Sequence, residues 1–182
     1  MKITKKGGQI MHINKWLLWL LTFVPVPAGY LINLVTANSF LSGNTITGRF
    51  WYYCLPLAVV VFWFWLGCQF SKTTWSFWPS MLIGNMSGIL SLILFVWQFF
   101  GHNDAIRNMF IAGLSQGFLC STPMYLFSRI SILFDSDPNT IDIYDQLYLY
   151  IVSVVLMMAI FMLGYYYGIK SRKNNDKSVE AS

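Results

Sequence analysis

Long apolar stretches dominate this chain: four run without a single charged residue, and a fifth is interrupted by polar side chains. About 20 helical residues cross a hydrocarbon layer roughly 30 Å thick, so a run of about 18 or more reads as a membrane span. Hydrophobic residues make up 56% of the sequence and charged residues only 10%, which leaves little to cover a soluble surface. The expected fold is all-α, a polytopic helical membrane bundle whose solvent is the bilayer. Its parts are a basic segment over 1–15, the bundle over 16–169 and a basic tail over 170–182. The short connections leave no room for a separate soluble domain.

The first span covers Trp16 to Thr36, about 31 Å as a helix. The second runs from Phe50 to Gln69, and the third from Pro79, placed as a first-turn proline, to Phe100. The last, from Gln146 to Ile169, is closed by Lys170, Arg172, Lys173 and Lys177. Between them the stretch from Ala105 to Phe134 carries Asn108, Ser115, Gln116, Ser121, Thr122, Pro123, Ser128 and Arg129. Whether it crosses is decided by the placement of basic residues, because Lys and Arg in short loops mark the cytoplasmic side. If it does not cross, nine of the 12 basic residues lie inside and three, Arg49, Arg107 and Arg129, lie outside. If it does, the tail moves outside and the balance becomes five against seven.

Four spans with both termini cytoplasmic are therefore expected, with the fifth stretch re-entrant or lying along the outer surface. Five spans are the alternative. Non-helical backbone at membrane depth requires cover from protein or water, and Pro123 is the candidate turning point. The aromatics form two belts under this topology: Trp16, Trp19, Trp75, Trp78 and Tyr165 to Tyr167 at the inner interface, and Trp51 to Tyr53, Trp97, Tyr148 and Tyr150 at the outer.

Lys5 to Met11 can be encoded by a purine-rich stretch followed by ATG, the layout of a bacterial ribosome-binding site and start. This suggests a bacterial protein beginning at Met11, against the simpler reading of a basic N-terminal segment. An intact mass from the native host that begins at Met1 would exclude the shorter form. The first apolar run exceeds a signal-peptide core and is followed by no A-x-A-like site, so it reads as an uncleaved span.

Pro25 and Pro27 sit near the middle of the first span and should deprive the carbonyls of Leu21 and Phe23 of their helical partners. With Pro123 they are the candidate helix breaks. Interrupted spans accompany midplane sites in transporters, and prolines also occur as structural kinks. Three G-x-x-x-G pairs, Gly84 with Gly88, Gly113 with Gly117 and Gly164 with Gly168, provide candidate close-packing faces, within one chain or between copies. Asn33, Asn85, Gln116 and Arg129 are the candidate ligand-facing polar residues, with Gln98 beside them. Such groups usually face the bundle, either as interhelical bonds or along a path, and Arg129 can also snorkel to the headgroups.

All seven carboxylates fall in loops or tails, so no span carries a proton-relay acid or an aspartate pair. No H-E-x-x-H or G-x-S-x-G occurs. Cys54, Cys68 and Cys120 lack C-x-x-C spacing, and with only His12 and His102 no metal centre or other cofactor is expected. Asp135, Asp137 and Asn139 match the first half of a calcium loop, but Thr140 and Gln146 stand where its glycine and bidentate glutamate belong.

The net charge of +5 comes from the two ends and not from a mixed basic and aromatic face, which argues against nucleic acid. The expected partners are the lipid bilayer and a second copy or another membrane protein. Three functions fit: a non-enzymatic regulatory, immunity-like or accessory subunit acting through helix contacts; a small-solute transporter or channel component with a site near Pro25, Pro27 and Pro123; or an enzyme on lipid-linked substrates.

Overall fold

The computed structural model describes residues 15–101, 106–123 and 143–180, and all regular structure among them is helical. The elements are α1 (Lys15–Leu21), α2 (Pro25–Leu41), α3 (Thr45–Phe70), α4 (Phe77–Gly84), α5 (Met86–Phe100), α6 (Met109–Ser121) and α7 (Ile143–Glu180). Three segments are long and apolar enough to cross a membrane: Lys15–Ser39, Ile46–Phe70 and Ile143–Asn174. α4 and α5 make a fourth if joined across their 52° bend. The helical bundle expected from the apolar runs is thus what the chain forms. Arg129 and the calcium-loop positions Asp135, Asp137, Asn139 and Thr140 lie outside the described residues.

Its burial pattern is that of a protein dissolved in lipid. Leu31, Val61, Val155 and Leu163 point outward, whereas Ser80, Asn85, Ser91, Gln98, Ser115 and Ser153 are buried. Water would favour the reverse; hydrocarbon favours polar groups turned inward, where they can bond to one another. Between them the large rings of Trp63, Phe70, Phe95, Phe118 and Phe161 fill the core.

α3 and α7 make the most extensive contact in the bundle. A Cβ on Gly67 would collide with the Phe161 carbonyl, and one on Gly164 with the Phe64 carbonyl, so the backbones touch because neither residue has a side chain. Gly168 faces Ser71 in the same way, and Gly84 and Gly88 accommodate the rings of Phe161 and Phe118.

Two elements differ from the sequence reading. In place of an unbroken third span there are two helices, α4 and α5, that meet at Asn85 at 52°, with no proline at the bend. Beyond Ile169 the last helix continues through the basic residues as far as Glu180. Two aromatics expected at the interfaces are buried in the core instead, Tyr150 of the outer belt and Tyr165 of the inner one.

The charges sort to the two ends of the bundle. Lys15 donates from Nζ to Thr74 Oγ1 at 3.1 Å and lies 5.8 Å from the Trp75 ring centroid. Gly168 packs on Ser71, so Lys15, Lys72 and Lys170 share one end. At the other end Arg107 donates from Nε to the Gln98 carbonyl at 3.2 Å, and the Tyr144 ring lies 5.5 Å from that of Phe100.

α6 starts at this second end, where the Asn108 amide donates to Gln98 Oε1 at 3.1 Å. It stops inside the bundle: Thr122 Oγ1 accepts from Ser153 Oγ at 2.7 Å, and Ser153 lies about 15 Å along α7 from its start. Its 13 residues rise about 20 Å, short of a crossing. Tyr144 lies beside Phe100, so α7 starts at the same end as α6.

Candidate functional site

The α1 to α2 junction shows what the two prolines do. Thr22, Phe23 and Val24 donate to Trp19, Leu20 and Leu21 at 3.1 to 3.2 Å, a turn one residue tighter than an α-helix. The carbonyls of Leu21 and Phe23, deprived of their usual helical donors, accept instead from Val24 and Val26 at 3.2 and 3.1 Å. Pro25 then opens α2, where a missing N–H costs nothing.

α6 is held from behind. Asn108 caps it, its Oδ1 accepting from Phe110 and Ile111 at 3.1 and 3.2 Å. Tyr150 donates its hydroxyl proton to the Ser115 carbonyl at 2.6 Å, and Ser153 binds Thr122. In front, Gly29 of α2 meets the Gly117 carbonyl, and a Cβ on Gly117 would lie 2.9 Å from the Val26 carbonyl. The two backbones touch there and separate toward the Arg107 end, where nothing lies within 4 Å of a Cβ built on Gly113.

The separation leaves a cleft of about 530 Å³. Pro27, Asn33, Gly113, Gln116 and Gly117 all line it, together with Tyr30 and Cys120. Five residues singled out in the sequence are thereby brought together, from segments more than 70 residues apart. Neither Asn33 nor Gln116 makes a side-chain hydrogen bond to another described residue. Gly113, expected on a packing face, opens into the cleft instead. Pro25 lines a separate groove between α2 and α3 of about 380 Å³, walled by aliphatic and aromatic side chains. Pro123 follows directly on the end of α6.

Asn85 is not part of this cleft. Its Oδ1 accepts from Trp63 Nε1 at 2.9 Å and its Nδ2 donates to the Met81 carbonyl at 2.9 Å, both in the core. The side chain pins α3 to the bend between α4 and α5. Gln98, through its bonds to the Arg107 and Asn108 segment, anchors the start of α6.

Sequence reasoning missed Gly29, Gly67, Trp63 and Tyr150. Gly67 with Ser71 is a small-xxx-small pair that would have revealed the α3 face. No pattern pairs Gly29 with Gly117, because their contact depends on where α6 is inserted. Among the described residues no group of three or more His, Cys, Asp or Glu side chains is placed to hold a metal ion. No protein-family model, curated protein or solved structure matches the chain.

Proposed function

We propose that this protein binds a small solute within the bilayer, at the cleft between α2 and α6, as a transporter or channel component. The observation that carries this reading is the convergence of Asn33 and Gln116, both without partners among the described residues, on one cleft. Asn33 is exposed along the cleft and Gln116 half-buried in it; an amide that faces hydrocarbon unbonded is costly, so two of them on one cleft favour an occupant that bonds to them. The interruptions fit the same use. The turn at Thr22 to Val24, the bend at Asn85 and the inner end of α6 are linked through Val26, Gly117, Phe118, Trp63 and Asn85 in successive contact. Discontinuous helices meeting at depth are how several transporter folds build their sites.

The membrane would be the cytoplasmic membrane of a bacterium, with the end bearing Lys15, Lys72 and Lys170 inside and both termini cytoplasmic. The gathering of these residues at one end supports that orientation. A second reading, an accessory or regulatory subunit, is favoured by the bare Gly113: a partner helix could lie against it as α2 lies against Gly117.

Proteoliposome flux of a panel of neutral and charged solutes separates the two. Transport that falls at least about tenfold in N33L/Q116L supports the first reading, since two lost hydrogen bonds are worth about that much. Flux unchanged by the double substitution, or no flux with any solute, would refute it.

A further inference from the structure

The cleft also specifies the chemistry of its occupant, on the premise that it is a binding site. None of its described lining residues is charged, and an ion drawn to this depth without a counter-charge is strongly disfavoured. Asn33 and Gln116 each present a donor and an acceptor, which suits a hydroxyl, carbonyl or amide on the ligand. The remaining walls are apolar apart from the Tyr30 hydroxyl and the Cys120 thiol. A volume of about 530 Å³ holds on the order of 20 to 25 non-hydrogen atoms at the density of protein interiors.

The position of the opening defines the route. Behind α6 the way is closed by Phe118 and Tyr150, both buried, and by the bonds to Ser115 and Thr122. On the outer side Tyr30, Met109 and Phe110 are each more than 60% exposed on the bundle's apolar surface. From these observations we infer that the cleft takes an uncharged amphipathic molecule, one apolar chain with a hydroxyl or carbonyl head, that arrives sideways from the lipid. Its head bonds to the two amides, and its chain lies across Gly113 and leaves over Phe110. A glyceride or a long-chain alcohol has this chemistry.

The test uses the full chain in vesicles of zwitterionic phospholipid, with monooleoylglycerol carrying a diazirine in its acyl chain as the probe. Oleate with the same diazirine, ionised at pH 9, serves as its charged counterpart. Cross-linking to α2 and α6 that saturates, is displaced by unlabelled monooleoylglycerol and falls at least about tenfold in N33L/Q116L is the expected result. Gly113→Phe puts a ring into the cleft from a position where an added Cβ has nothing within 4 Å, so it should abolish the same labelling while the protein keeps its elution volume in detergent. Labelling spread evenly over the outward helix faces and unaffected by either variant would mean annular lipid only and would overturn the inference. Equal labelling by oleate would overturn the claim of an uncharged ligand. Saturable labelling without flux would remove transport and keep this site; amide-dependent flux of a water-soluble solute without labelling would do the opposite.

Discussion

Asn33 and Asn85 are the same residue type in the same kind of apolar run, and the fold gives them opposite tasks. Asn85 spends both halves of its amide on Trp63 and Met81, so Asn85→Leu leaves a buried indole N–H without its acceptor. A loss of about 1 to 2 kcal/mol is expected, read as a lower midpoint in SDS titration, with Trp63 fluorescence altered. Asn33→Leu removes no bond to a described residue and should leave that midpoint unchanged within about 0.5 kcal/mol. Ser80 and Ser87 present buried hydroxyls with no partner among the described residues, so Ser87→Ala should be neutral or stabilising by up to about 1 kcal/mol. The sequence singled out both asparagines as polar groups at depth. It carried no sign of which was satisfied, because the partner of Asn85 lies 22 residues away on another helix.

At the scale of the helix, glycine decides how closely backbones approach. Gly67 and Gly164 lie where α3 and α7 touch, and a methyl group on either would push the two helices apart. Gly164→Ala should destabilise the bundle by about 1 to 3 kcal/mol, the usual range for overpacking, while Gly113→Ala should be neutral or raise stability by up to about 1 kcal/mol by favouring the helix. SDS-titration midpoints moving together in the two variants would contradict this division. The G-x-x-x-G spacing made the two positions look equivalent. What separates them is the partner: Gly164 meets the α3 backbone at Phe64, whereas nothing lies within 4 Å of a Cβ built on Gly113. Similarly, the composition of the third span showed that it was long and apolar, but not that Asn85 would bend it by 52°.

For the molecule as a whole, the legible part of the sequence was the part written in hydrophobicity and charge. The long apolar runs gave helices at nearly the expected positions, with α3 at Thr45–Phe70 against an expected Phe50 to Gln69. The basic residues predicted which ends lie together, and the contacts of Lys15 with Thr74 and of Gly168 with Ser71 bring those ends together. The cleft was legible only as scattered residues, since its walls exist only once α6 has been placed against α2. The central claim is that α6 starts at the same end of the bundle as α7 and stops near Ser153.

Single cysteines at Met109, Tyr144, Lys72 and Ser171, in a background with the native three replaced, test that claim through labelling by a membrane-impermeant maleimide from each side of sealed vesicles. The account predicts that positions 109 and 144 label from one side and positions 72 and 171 from the other. Labelling of 109 and 144 from opposite sides would show that the chain between them crosses the membrane, and the half-length helix and the cleft built on it would have to be abandoned.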